Sequence, residues 1–423
     1  MLLSSAQADH ASAGHPGTVG AILAEIRSSG QITFARFMEM ALYHPEFGYY
    51  TRIADAEDEK PWPPRCPIGR SGDYDTSPEV SPLLARALAR QIAQIDTLLG
   101  NPQPLTVVEM GPGSGRLARE FLLACEQQWP VLLPRLRYLL IERSRALSAL
   151  QRKLLAPWVG TPVVSWFTGL TDLPDGAVIG TMFSNELVDA FPVHRIRVVD
   201  GTPCEIYVTE VNGRFVERTG PLSTPRLAEY LADLTADGVS FPEGYTTEIN
   251  LEAIEWMKEV ARVLARGVVI TIDYGHTAKD RYAPYRNRGT LICYVRHQVS
   301  EDPYSRVGYQ DMTAHVDFTA LAATGEAVGL KTTGFTNQMS FLMSLGADEI
   351  LATVAPESLD MRAACQLLRP DGMGRTLKIL VQHKGMPMPV LDGLRFKPFF
   401  AHVLSRRQQA ELAAHTSTGH RNP

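Results

Sequence analysis

Residues 105–116, LTVVEMGPGSGR, limit what this chain can fold into more than any other stretch. Apolar and β-branched residues from Leu105 to Met110 read as a strand buried on both faces, and Gly111, Gly113 and Gly115 follow at alternate positions. A helical apolar period begins directly afterwards at Leu117. A strand that turns through glycines into a helix opens a βαβ unit, and missing side chains at that corner let a ligand reach the N–H groups of the helix N-terminus.

The alternation continues. Residues 136–142, 163–167 and 178–183 read as three further strands, with a helix at 144–155 and the fourth strand running into SNELVDAFPV. Upstream, apolar residues recur at helical steps over 22–47 and 83–99, separated by a polar, Pro-rich stretch at 54–67 that reads as a loop. After the fourth strand, CEIYVTEVNGRFVER reads as a hairpin turning at Asn212 and Gly213. A helix over 251–264, stopped by Gly267, then feeds a fifth strand at 268–274, and more strands and helices follow to His383. The expected fold is α/β and Rossmann-like, a mostly parallel sheet with helices on both faces and an inserted lid or substrate region. The expected divisions are a mobile tail at 1–20, a helical cover and loop at 21–82, core halves at 83–192 and 248–390 around an insertion at 193–247, and a C-terminal tail at 391–423.

Composition narrows the function classes. A net charge of −5 over 423 residues argues against a broad phosphate-binding footprint, so no nucleic acid is expected. The five cysteines are scattered, and the histidines, among them His44, His194, His276 and His315, show no metal-ligand spacing, so no metal is expected. No apolar run is long enough to span a membrane, and residues 1–17 carry no basic residue, which disfavours a secretory signal or a transit peptide. The expected location is cytoplasmic, or mitochondrial in a eukaryote.

The glycine turn does not suit a nucleotide phosphate. The dinucleotide fingerprint needs glycine where Arg116 stands, and the phosphate loop needs a Gly-Lys-Ser/Thr ending that is missing. Glu142 closes the second strand, where a carboxylate accepts both hydroxyls of a ribose. S-adenosylmethionine fits this set: the turn takes the methionyl part, Glu142 the ribose, and Glu109 bonds the loop and offsets the sulfonium charge. The bland alternative has the glycines serving strand-to-helix packing, with Glu142 a surface acid.

These residues, with LYHPEFGYY, GDYDTSPEVSPLLARAL, IERSRALSALQ, FSNELVDAFPVHR, TIDYGH and DMTAHVDFTAL, resemble the MidA-type methyltransferases, a family that includes a mitochondrial complex I assembly factor methylating arginine. The resemblance implies a class I methyltransferase fold, Gly111, Gly113 and Gly115 in the cofactor loop, and Glu142 as the ribose acid. It places GDYDTSPE over the cofactor as a cover, matched by Gly72, Asp73, Thr76, Ser77, Pro78 and Glu79. It also points to SNELVDAFPV as the acceptor-facing loop.

Methyl transfer from a sulfonium is an in-line displacement, so alignment and water exclusion dominate. For an arginine acceptor, Glu186 and Asp189 are the candidate catalytic carboxylates, with Asn185 orienting one of them or touching the cofactor. Tyr274, at the end of the fifth strand, is the candidate acceptor wall. Their bland roles are helix-start acid, cap and core aromatic. A protein acceptor is expected, and a homodimer is admitted. Methylation of a small metabolite on oxygen or nitrogen is the alternative chemistry, and an assembly factor that binds cofactor without turnover is the alternative class.

Overall fold

The computed structural model describes residues 14–52, 76–352, 355, 358–396, 403, 404, 408 and 410. Strand β1 (Leu105–Met110), buried along its whole length, lies inside an eight-stranded sheet. With β2 (Leu136–Ile141), β3 (Val164–Phe167), β4 (Val178–Asn185), β5 (Leu264–His276), β6 (Lys331–Asn337) and β7 (Leu377–Lys384), the order is β6-β7-β5-β4-β1-β2-β3. Strands β1 to β5 pair in parallel, β7 runs antiparallel between β5 and β6, and Val316–Asp317 adds a short parallel strand at the end of β5. The order reverses between β1 and β4, the switch point at which open α/β sheets leave a crevice beyond the strand ends.

Eight helices matter to the argument: α1 (Pro16–Ser29), α2 (Phe34–Tyr43), α3 (Ser77–Val80), α4 (Leu83–Leu98), α5 (Arg116–Gln128), α6 (Arg145–Leu154), α7 (Pro225–Ala236) and α8 (Leu251–Val263). Adjacent strand residues point to opposite faces, and the core divides accordingly. Val107, Phe183 and Ile270 pack under Leu88 and Ile92 of α4 and Phe121 of α5, whereas Val108, Met182 and Val269 pack under Met257 and Val260 of α8.

Gly267 does not stop a helix. Helix α8 passes into β5 without a linker, and Gly267 sits inside β5 opposite Gly180 of β4, which in turn lies opposite Thr106 of β1. Both glycines hold positive φ, 150° at Gly180 and 145° at Gly267. A Cβ on Gly267 would stand 1.8 Å from the Gly180 carbonyl oxygen, and one on Gly180 would stand 2.0 Å from that of Thr106. The sheet centre tolerates only bare backbone here.

The expected divisions are redrawn by packing. Residues 1–13 lie outside the described set, but the tail cannot extend to residue 20: His15 caps α1, and Val19 and Ile22 are buried. The apolar run over 22–47 is two helices, because Gly30 (φ 82°) ends α1 and the short strand Ile32–Thr33 precedes α2. That strand pairs with Thr202–Val211, so the N-terminal cover and the insertion share one antiparallel sheet with His194–Val199, Arg214–Gly220 and Thr246–Ile249. The hairpin turn forms as expected, with Asn212 and Gly213 both at positive φ. A three-stranded sheet of Ile292–Val295, Gln298–Ser300 and Asp311–Thr313 belongs to this cap rather than to the second core half, since Cys293 and Met312 pack with Phe34, Phe37, Val208 and Phe215.

The described part of 391–423 is not a free tail. Leu391 joins the main core, the Gly393 N–H donates to Gln91 Oε1 at 2.9 Å, and the Val403 carbonyl accepts from Thr319 Oγ1 at 2.7 Å.

Gly180→Ala is therefore expected to destabilise the fold by about 3 kcal/mol or more. The check is the denaturant midpoint of the variant, and an unchanged midpoint contradicts the close approach.

Candidate active site

Gly111, Gly113 and Gly115 all adopt left-handed conformations, with φ of 69°, 54° and 86°. The turn they form ends β1 and gives α5 its N-cap, Gly115. A cavity of about 390 Å³ opens against it, bounded by Gly111, Gly113, Glu142, Glu186, Tyr43 and Tyr50, with Ile141, Leu147, Leu170, Leu187, Phe191 and Trp256 supplying apolar wall. Trp256 thus faces the cavity while its neighbour Met257 stays in the core.

Glu142 follows β2 and is held by its own surroundings. The Ser144 N–H donates to Oε1 at 2.7 Å and Gln151 Nε2 donates to Oε2 at 3.1 Å. Burial pushes its carboxyl up to about 7 against these hydrogen bonds. Gln151 also donates to the Gly113 carbonyl at 2.8 Å and accepts from Trp166 Nε1 at 3.1 Å. One buried amide on α6 therefore locks the glycine turn to Glu142. Gln151 carried no individual role in the sequence, although it ends the IERSRALSALQ motif.

Glu109 takes a different role from the one expected. It is buried in β1, the cavity wall begins at the next residue, Met110, and its partner is the Tyr138 hydroxyl of β2, donating to Oε2 at 2.7 Å. Burial pushes its carboxyl up to about 8, which favours the neutral form, and its bond to Tyr138 ties it to β2 rather than to the cavity.

The turn after β4 hangs on Asp273 of β5. Its Oδ2 accepts from the backbone N–H groups of Leu187 (3.2 Å), Val188 (2.8 Å) and Asp189 (3.3 Å), and its Oδ1 from that of Tyr274 (2.8 Å). Glu186 enters this turn at φ 51°, a left-handed conformation that is uncommon for a non-glycine residue. Its Oε1 accepts from Asn185 Nδ2 and from the Ser77 N–H, each at 3.0 Å, so its carboxylate reaches the cavity already oriented.

Asp189 is not on that wall. It lies buried behind it with Asp273 and Asp311, and burial, then Asp273, Asp311 and Glu186, hold its carboxyl well above the carboxylate range. Tyr274 faces the same group: burial, followed by Glu186, Asp189 and Tyr294, raises its hydroxyl. Tyr50 reaches across from the cap and donates to Asp311 Oδ1 at 2.7 Å, while the Tyr43 hydroxyl donates to the Ala190 carbonyl at 3.0 Å. The guanidinium of Arg143 covers the Tyr43 ring at 4.3 Å. Tyr43, Tyr50 and Asp311 carried no individual role in the sequence, though LYHPEFGYY and DMTAHVDFTAL contain them.

Gly72 and Asp73 lie outside the described residues. Thr76 is buried just before α3, and the rest of the cover does reach the site, through Ser77 on Glu186 and Glu79 on Ser114 of the glycine turn. Among the described residues, no group of three or more His, Cys, Asp or Glu is placed to hold a metal.

The cavity suits an adenosyl sulfonium on its own terms. Acidic Glu142, Glu186, Glu252, Glu255 and Glu259 face it, against Arg143 as the one basic residue among the described ones, which disfavours a pyrophosphate and favours a cation. Asn185, whose Oδ1 is buried with no hydrogen-bond partner among the described residues, does not itself line the cavity and reaches it only through Glu186.

A family model described as S-adenosyl-L-methionine-dependent methyltransferase matches residues 87–336. The chain belongs to that methyltransferase family. It is similar to "Protein arginine methyltransferase NDUFAF7 homolog, mitochondrial" of Drosophila melanogaster, 25% identical over 415 residues that span 90% of this chain and 88% of the relative. To the Homo sapiens protein arginine methyltransferase NDUFAF7, mitochondrial, it is 27% identical, over 82% of this chain and 77% of that one. A crystal structure from Burkholderia thailandensis, bound to S-adenosyl-homocysteine, is 31% identical with a TM-score of 0.79, covering 93% of this chain and 98% of its own. The enzyme is therefore an S-adenosyl-L-methionine-dependent methyltransferase of class I fold. The relatives' mitochondrial names are at odds with the cytoplasmic expectation. No helix among the described residues is long and apolar enough to cross a membrane.

Two pH effects follow. If Glu142 takes the ribose as expected, its hydroxyls donate to the ionised carboxylate, so S-adenosylhomocysteine binding should weaken as pH falls below about 7. Glu142→Gln should flatten that dependence and weaken binding at pH 8 by ~10- to 100-fold, measured by calorimetry. Glu109 has the opposite bearing on stability: its folded-state value is raised from 4.5 to about 8, so the folded chain holds the extra proton and stability falls as pH rises through that window. Melting temperatures of Glu109→Gln should fall less over this range than those of the wild type.

Proposed function

We propose that this methyltransferase modifies an arginine side chain of a protein, with a respiratory complex I subunit as the acceptor implied by the family resemblance. The observation that carries the reading is the buried acid and tyrosine group beside the cofactor cavity, Asp189, Asp311, Tyr50 and Tyr274, with Glu186 on the boundary between the two. A guanidinium offers a planar, permanently charged donor set that complements such an acidic, hydroxyl-rich group. The relatives named protein arginine methyltransferase support the same acceptor, and their names support a mitochondrial setting.

S-adenosyl-L-methionine, when bound, supplies an electrophilic methyl group on a sulfonium. Gly111, Gly113 and Glu142 would hold it, and the apolar wall from Leu147 to Trp256 would exclude water. Glu186, fixed by Asn185 and Ser77, pairs with the guanidinium and aims one nitrogen at the methyl carbon. Methylation would replace a proton on the attacking nitrogen, so the site has to take one up. Glu186 is the group proposed to stabilise the developing charge and accept that proton, and Asp189, buried behind it, supports Glu186 through their electrostatic coupling.

The test incubates purified enzyme with isotopically labelled cofactor and a proteome from cells lacking it, followed by mass spectrometry for methylarginine. Glu186→Gln should lower turnover ~100-fold or more, and Asp189→Asn ~10-fold or more. Wild-type turnover by Glu186→Gln removes its catalytic role, and methyl label on residues other than arginine overturns the acceptor.

A further inference from the structure

Helix α3 touches both loops that form the cofactor cavity. At one end, Glu79 Oε1 accepts a hydrogen bond from Ser114 Oγ, and Arg116 lies 3.5 Å from Oε2, so this carboxylate holds the glycine turn from above. Ser114 stands between Gly113 and Gly115, and its Oγ also accepts from the Arg116 N–H at 3.3 Å. At the other end, the Ser77 N–H donates to Glu186 Oε1 at 3.0 Å. Ser77 Oγ donates to Gln338 Oε1 at 2.9 Å, and Gln338 Nε2 donates to the Leu367 carbonyl at 3.2 Å, so α3 is moored to the molecule behind it as well.

This arrangement ties two loops that come from different strands. The glycine turn follows β1 and the Glu186 turn follows β4. Glu186 sits in a disfavoured backbone conformation, and its carboxylate direction depends on partners outside its own loop. One of those is a backbone N–H, which cannot reorient independently of α3. Displacing α3 from the glycine turn therefore moves the donor that aims Glu186.

We propose that Glu79 is a positioning residue of this enzyme: by clamping α3 to Ser114 of the glycine turn, it sets the Ser77 N–H that orients Glu186, and so couples cofactor binding to the acceptor-facing carboxylate. The inference rests on the reading of Glu186 given above for the acceptor. It adds a residue that touches neither cofactor nor acceptor but transmits between their sites.

The test is a double-mutant cycle read by calorimetric binding of S-adenosylhomocysteine, which needs no acceptor. Glu79→Ala should weaken binding about tenfold and Glu186→Gln about threefold, while the double variant should match Glu79→Ala alone, because Glu186 is no longer aimed once the clamp is gone. A double loss equal to the product of the single losses overturns the coupling. Glu79→Gln, whose amide oxygen still accepts from Ser114, should retain binding within about threefold of wild type, a rescue that bulk packing of α3 would not require. Should Glu79→Ala fail to fold, Ser114→Ala breaks the same clamp from the other side, and wild-type affinity there sinks the proposal. Failure of arginine methylation leaves this product-binding cycle unchanged, so the two readings fail separately.

Discussion

The carboxylate of Asp273 is the hinge on which the site hangs. One oxygen collects three successive N–H groups of the turn after β4, and the other takes the N–H of Tyr274 at the end of β5. Four backbone donors offset much of the cost of burying it, yet burial still lifts its carboxyl to about 7. Through that single group, Glu186, Asp189 and Tyr274 are brought to one side of the sheet switch point. The central strands carry a complementary constraint: Gly180 and Gly267 let β4 and β5 lie closer than side chains allow.

Two layers of polar contacts then give the cavity its shape. Inside the Rossmann core, Gln151 joins the glycine turn to Glu142. From outside, the cap supplies Tyr43 and Tyr50, and α3 supplies Ser77 and Glu79. The cap is assembled from three separated stretches of chain, the N-terminal helices, the insertion and residues 292–313, packed around Phe34, Phe37, Val208 and Met312. Its own core explains how it can hold tyrosines rigidly against the strand ends.

Much of the sheet was legible because strand and helix periods are local and the glycines mark corners. The five parallel strands lie within a few residues of where the alternation puts them, and the hairpin at Asn212 and Gly213 turns as its dipeptide demands. The errors share a cause. Gly267 was read by its commonest local role, as a helix stop, when its reason is a neighbour across the sheet. Glu109 was read by its place before the glycine turn, when its direction into the sheet hands it to Tyr138. Segment boundaries failed wherever a distant strand, such as Thr202–Val211 beside Ile32–Thr33, recruited residues that look independent along the chain.

By itself the sequence determined the β1 corner, with its left-handed glycines, and the acid that follows β2, because backbone conformation and spacing are short-range properties that a few adjacent residues enforce. It also determined which loop carries Glu186 and Asp189. Only the tertiary structure decided that Glu186 faces the cavity while Asp189 stands behind it, and that Tyr50 meets Asp311 across 261 positions. Such meetings, and the protonation states they impose, depend on which groups are buried together, and burial is a property of the packed chain as a whole.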